Sequence, residues 1–202
     1  MAKAVVFDVG NVLYDWNPRF LYERLTPPGP ALDAFLRDVA TKEWHFQHDA
    51  GRPFVETSAE LCAQYPNHAA LIAAWGPRFT EQLGNMLPGM RDLVLELDAA
   101  GVPLYAITNF SGEFWPPFRE READLFDRFR GIIVSGDELL TKPDPAIYSL
   151  ALDRFGLRAE KCVFVDDRAD NVAGAQGVGM HAVLFSDSAT LRGDLMELGL
   201  PL

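Results

Sequence analysis

The chain has 202 residues, which at roughly 150 residues per domain amounts to one ordinary domain with an addition, or two small ones. Eighteen lysines and arginines against 29 aspartates and glutamates leave a net charge of −11, so there is no general positive field for nucleic acid or for an anionic membrane surface. With 49% apolar and 23% charged residues, the composition also excludes a disordered chain.

In chain order, the first apolar run is Ala4 to Phe7, ended by Asp8. It is too short for a signal-peptide core or a membrane span and reads as a strand. Four further short runs rich in β-branched residues follow at Val102–Ile107, Gly131–Val134, Cys162–Val165 and Ala182–Phe185. They are continuous instead of alternating, which predicts a parallel sheet covered on both faces. Helical patterns lie between them. Met90 to Ala100 stops at Gly101, and Pro145 to Phe155 starts on proline and stops at Gly156. Strand and helix in alternation predict an α/β fold, a Rossmann-like doubly wound parallel sheet with a five-stranded core.

About eighty residues separate the first strand from the helix at Met90, far more than a βα loop needs. The segment reads as helices with punctuation: a start at Asn17-Pro18, a linker at Pro27–Pro30, a capping box at Thr57-x-x-Glu60, and a break at Gly76-Pro77. An inserted all-helical domain over residues 15–87 is therefore expected, with residues 1–14 and 88–202 forming the sheet domain. Cys62 and Cys162 lie far apart, which predicts reduced thiols and a cytoplasmic protein. Zinc is not expected, because His45 and His48 are the only close pair among the ligand-type residues. Gly174, Gly177 and Gly179 follow a helix instead of opening one after a strand, so they read as packing and capping residues and not as a nucleotide loop.

Ligands in open parallel sheets bind beyond the carboxyl ends of the strands. Those ends carry Asp8-Val9-Gly10-Asn11, Thr108-Asn109, the loop to Lys142-Pro143, and Asp166-Asp167. Three carboxylates, a hydroxyl beside an amide and one lysine are a set suited to metal-assisted chemistry on an anion. The motifs FDVGNV, ITN, KPD and VDDRADN, in that order along the whole chain, resemble those of the haloacid dehalogenase superfamily. Within it, the GNV after Asp8, the insert and the stretch Trp44–Gly51 look most like the sugar-phosphatase branch typified by bacterial alpha-D-glucose-1-phosphate phosphatase.

The resemblance implies a Mg²⁺-dependent phosphatase acting on a small phosphorylated metabolite, with the insert as a cap. It makes Asp8 a nucleophile that forms an aspartyl-phosphate. Thr108 and Asn109 would hold phosphate oxygens, and Lys142 would neutralise phosphate as a point charge. Asp8, the Gly10 carbonyl and Asp167 would bind Mg²⁺. Asp166 would touch the metal through water or orient Lys142, and Asn171 would hydrogen-bond behind them. A phosphate dianion beside three carboxylates gathers five negative charges, of which Lys142 and Mg²⁺ together cancel three.

One departure stands out. Most phosphatases of this superfamily have an acid two residues after the nucleophile, where this chain has Gly10. Asp15 and His48 are candidate proton donors in its place; a good leaving group or slow turnover are the alternatives. The histidines and aromatics of Trp44–Gly51, and the rings of Phe114–Phe118, either pack a core or wall a substrate pocket. The rival functions are a metal-independent 2-haloacid dehalogenase and a catalytically weak phosphate-ester-binding protein.

Overall fold

The computed structural model describes residues 3–202. Seven strands occur among them: β1 (Ala4–Phe7), β2 (Tyr14–Trp16), β3 (Leu83–Met86), β4 (Leu104–Thr108), β5 (Gly131–Val134), β6 (Cys162–Asp166) and β7 (His181–Leu184). Five of them form a sheet in the order β5-β4-β1-β6-β7, parallel at every junction. All five apolar runs of the sequence are therefore strands of one doubly wound sheet. The chain leaves β1 toward β4 and β5, then returns to β6 on the other side, so the strand order reverses beside β1.

β1 shows why the run had to be continuous. Successive side chains of a strand point to opposite faces, and here both faces are covered. Val5 and Phe7 belong to one buried cluster with Leu93, Val94 and Leu97 of the helix Met90–Ala99. Ala4 and Val6 belong to another, with Ile147, Tyr148 and Ala151 of the helix Pro145–Phe155. Local signals set the ends of that second helix. Asp144 accepts a hydrogen bond from Ala146 N, Pro145 opens the first turn, and Gly156 closes it with φ +62°.

Between β2 and β3 the chain is helical, with segments at Arg19–Tyr22, Pro30–Ala34, a π-helical turn at Phe35–Val39, Lys42–Asp49, Phe54–Gln64 and Ala69–Ala74. β2 and β3 themselves pair antiparallel, an element missing from the expectation of an all-helical insert. Three or four residues including Gly84 and Asn85 carry no strand pattern of their own, and their pairing is non-local. The insert's buried Tyr22, Trp44, Ile72, Trp75 and Phe79 are continuous with the cluster of Val5 and Phe7.

The capping box expected at Thr57 is corrected. Pro53 precedes the first turn of Phe54–Gln64, and Thr57 lies inside that helix, buried. Its hydroxyl donates to Phe54 O at 3.2 Å and contacts His48 Nε2 at 2.6 Å. The insert's side-chain cap is Thr41, which accepts from Trp44 N at 3.1 Å.

Gly174 fulfils its packing role, but from inside the helix Ala169–Gly177 and not after one. A Cβ there would lie 2.6 Å from Pro143 O and 2.9 Å from a Tyr148 ring carbon, and the first of these is backbone. Gly174→Ala is expected to cost about 1–3 kcal/mol by overpacking, read as a fall in Tm. An unchanged Tm would show that the Lys142–Pro143 segment yields without cost.

Candidate active site

The turn after β1 is tight. Leu13 N and Tyr14 N both donate to Val9 O, and Asn11 N donates to Tyr14 O at 2.7 Å. Asn11 takes a left-handed φ of +58°, which asparagine tolerates well, and its Oδ1 accepts from Trp16 N at 3.1 Å. Gly10 has no left-handed φ; a Cβ there would meet only Trp16 Cβ, at 3.9 Å. Its lack of a side chain is thus a matter of chemistry and not of space.

The strand ends bring four of the expected residues together. Lys142 Nζ lies 2.8 Å from Asp8 Oδ1 and 2.7 Å from Asp166 Oδ2, with its side chain fully buried. Asp8, Asp166 and Asp167 each offer a carboxylate oxygen within 4.8 Å of the others. Asp166 is further held by Asn171 Nδ2 at 2.9 Å and by Arg168 N at 2.9 Å. Its carboxylate therefore orients Lys142, and Asn171 fixes that carboxylate in turn.

Asn109 supports the lysine from behind. Its Oδ1 accepts from Lys142 N at 2.9 Å and its Nδ2 donates to Lys142 O at 3.0 Å. The Asn109 side chain is thereby committed to the loop, so what it has to offer an anion is main-chain N–H. Thr108, buried, is the last residue of β4. The Lys142-Pro143 peptide bond is cis.

Electrostatics follow from burial. Burial pushes Asp8 up to about 7, opposed by Lys142 and reinforced by Asp166. Burial and Asp166 likewise raise Asp167. For Lys142, burial works against the ammonium, but Asp8 and Asp166 outweigh it and hold the group above the usual lysine value. Three carboxylates against one lysine is a site short of positive charge, and its donors are all oxygen. That donor set fits Mg²⁺, a hard cation that takes carboxylate ligands.

The two candidate proton donors have different surroundings. Asp15, on β2, lines a groove of about 1040 Å³ together with Arg24, Arg91, Arg121 and Glu122. His48 is fully buried, with its ring against Trp44, Phe54 and Phe114. Burial, with Arg52, lowers it to about 4, so it is neutral at ordinary pH, and its near partner is the Thr57 hydroxyl. It packs as a core histidine, which does not suit it to donate a proton at Asp8.

The stretch Trp44–Gly51 divides. Trp44 and His48 turn into the aromatic core, whereas its end meets the sheet edge, where Ser135 Oγ donates to Asp49 O at 2.6 Å. Phe114 and Trp115 are also core rings, stacked with Phe79 and packed against Phe126 respectively. Asp49, which the sequence motifs do not single out, is buried with its carboxyl 3.5 Å from His45 Nε2. Its i, i+4 spacing from His45 on one helix face was the available signal.

Residues 2–179 match the family model described as haloacid dehalogenase-like hydrolase. The chain belongs to the haloacid dehalogenase-like hydrolases. It is 31% identical over 201 residues to the sesquiterpene phosphatase astK of Aspergillus oryzae, covering 97% of this chain and 96% of that one. Among solved structures, a haloacid dehalogenase family enzyme of Bacteroides thetaiotaomicron, complexed with magnesium and inorganic phosphate, aligns with a TM-score of 0.73 at 19% identity, over 95% of this chain and 99% of that one. The L-2-haloacid dehalogenase of Xanthobacter autotrophicus aligns at 0.65 and 20% identity, over 100% of this chain and 85% of that one. At these identities the structural likeness is one of fold. Among the described residues, no helix is long and apolar enough to cross a membrane.

Proposed function

We propose that this hydrolase is a Mg²⁺-dependent phosphatase for a small phosphorylated metabolite, working through an aspartyl-phosphate on Asp8. The observation that carries this reading is a fully buried lysine bound to two carboxylates at the sheet edge, with a third carboxylate beside them. Lys142 and Val9 N hold Asp8 Oδ1, which makes Oδ2 the oxygen that attacks phosphorus. Thr108 and the main chain after β4 steady the phosphate, and Lys142 carries its charge. Residues 15–87 act as the cap that excludes water while the phospho-enzyme forms.

Asp8, Asp167 and the Gly10 carbonyl would hold Mg²⁺. When bound, the ion offsets the negative charge of carboxylates and phosphate and polarises a phosphoryl oxygen. The GNV run after Asp8 and the insert's stretch Trp44–Gly51, through their resemblance to the sugar-phosphatase branch, favour a sugar as the leaving group. The glucose-1-phosphate branch is the first place to look.

The test is hydrolysis of 4-nitrophenyl phosphate and of a panel of sugar phosphates, nucleotides and acyl phosphates. Activity should require Mg²⁺ and vanish with a chelator. The rival reading draws on the fold shared with the L-2-haloacid dehalogenase. Halide release from 2-chloropropionate that survives the chelator, with no phosphate release, would establish it instead. Binding of phosphate esters without turnover would favour the weak binder.

A further inference from the structure

We propose that Asp49, the last residue of the insert's helix Lys42–Asp49, is the general acid and base that Gly10 cannot be; this rests on the phosphatase reading above. As Asp8 Oδ2 bonds to phosphorus and the bond from phosphorus to the leaving oxygen breaks, the Asp49 carboxyl gives its proton to that oxygen, and an alcohol departs. Water then attacks phosphorus in the aspartyl-phosphate, the bond from phosphorus to Asp8 Oδ2 breaks, and Asp49 takes the proton the water sheds. Phosphate leaves, and both aspartates return to their starting states.

The backbone is built to bring this residue to the strand ends. Ser135, directly after β5, donates through Oγ to Asp49 O at 2.6 Å and accepts from Phe110 N at 2.9 Å. One hydroxyl thus ties the insert's helix to the segments following β4 and β5. Gly51, two residues on, has φ +90°, and a Cβ there would lie 2.8 Å from Gly136 O and 2.3 Å from a Leu139 methyl. Only glycine permits that approach of the insert to the sheet edge.

The side chain is equally specific. Asp49 is 6% exposed. Its Oδ2 lies 3.5 Å from His45 Nε2, too long for a good hydrogen bond. Its Oδ1 is buried and makes no hydrogen bond of good geometry among the described residues, although the Ser111 N–H acts on the carboxyl. Leaving a buried acceptor unpaired costs about 1–3 kcal/mol, which a stable core has every reason to avoid. A leaving-group oxygen or a water arriving in the site would supply the missing partner.

The surroundings favour the protonated carboxyl. Burial and then the Asp8 charge push Asp49 well above the usual carboxylate range, against Lys142 and the Ser111 N–H, which pull it down. His45, lowered to about 3 by burial and by His48, is neutral and cannot claim the proton as an ion pair would. A neutral acid that becomes a basic carboxylate once discharged is what the two half-reactions require.

The experiment measures kcat/KM of wild type and Asp49→Asn, both with Mg²⁺, on 2,4-dinitrophenyl phosphate, 4-nitrophenyl phosphate, phenyl phosphate and an alkyl phosphate. Because kcat/KM reports events up to formation of the aspartyl-phosphate, it isolates the acid step. The variant should lose on the order of 10²- to 10⁴-fold on the alkyl ester and almost nothing on the dinitrophenyl ester, whose leaving group needs no proton. It should also show a burst of dinitrophenolate, since hydrolysis of the phospho-enzyme has lost its base. The dinitrophenyl ester doubles as the check on folding, and Asp49→Ser repeats the series with a smaller side chain. Uniform loss across the series in both variants, or full alkyl activity in either, would overturn the assignment while the phosphatase reading stands. A wild type inert toward every ester would remove both.

Discussion

Replacing Asp8 by asparagine is expected to reduce phosphate release by roughly 10⁴- to 10⁶-fold, the scale seen when a catalytic nucleophile is lost, without unfolding the protein. The chemical half of the argument is short. An amide cannot form the aspartyl-phosphate, so neither the attack nor the later hydrolysis has a substitute. The stability half depends on the neighbours. Asp8 is buried and held up to about 7, so at pH 8 the folded state carries a charge that it would prefer to lose. Its folded value lies above the unfolded 3.8, so the group favours folding least above pH 7 and regains that stability as pH falls through the window between the two values.

Asparagine removes the penalty at pH 8. Lys142 is not orphaned, because Asp166 Oδ2 still lies 2.7 Å from its ammonium. The variant's Tm at pH 8, measured without divalent cation, should therefore equal or exceed that of wild type. A lower Tm would mean that Asp8 holds the fold together and is not a group the fold carries for chemistry. Retained phosphate release would remove Asp8 as the nucleophile.

Much of this arrangement was written locally in the chain, and the exceptions are instructive. A strand buried on both faces, as β1, β4 and β6 are, must be apolar throughout; β7 keeps an apolar run although His181 and Leu184 are exposed, so all five strands of the sheet could be found from short apolar runs, β1 and β5 to the residue. The helix over Pro145–Phe155 carried both its proline start and its glycine stop. The strands β2 and β3 carried no such mark. Their pairing brings Tyr14 opposite Met86 across some seventy residues of chain, and nothing in Leu83-Gly84-Asn85-Met86 announces a strand. Thr57 gave a false signal, because the capping-box pattern is satisfied by sequence spacing alone. Pro53 had already set the start of the helix, and the hydroxyl turned to His48.

The proton donor was harder for a related reason. His48 and Asp49 are adjacent, yet on a helix neighbours face different ways. His48 enters the aromatic core, and Asp49 is the residue whose main-chain carbonyl Ser135 holds. Spacing within the stretch could single out the segment but not the member of it that meets the sheet, since that is fixed by contacts with residues 110 and 135. The motif residues were legible because each follows its own strand, and parallel strands deliver their ends to one edge.

Lys142→Met is expected to destabilise the protein by about 3–5 kcal/mol, the cost of breaking a buried ion pair and leaving its partner charged. For a chain of about 200 residues, at roughly 2–4 °C per kcal/mol, the fall in Tm is about 6–20 °C. Among the described residues, Lys142 is the ammonium placed between Asp8 and Asp166, and methionine replaces its volume without its charge. The two carboxylates then face each other, with Asp167 alongside. Asp8 is pushed further above its unfolded value, so the folded state binds protons more tightly than before. The variant should recover stability as the pH is lowered from 8 toward 5, and the gap to wild type should narrow over that range. Mg²⁺ should narrow it at pH 8, because a divalent cation among the same oxygens supplies the missing charge. Thermal denaturation of both proteins at pH 5 and pH 8, with and without Mg²⁺, reads all of these together. A gap that stays constant under acid and cation alike would show that the lysine contributes packing and not charge, and would take away the electrostatic account of the site.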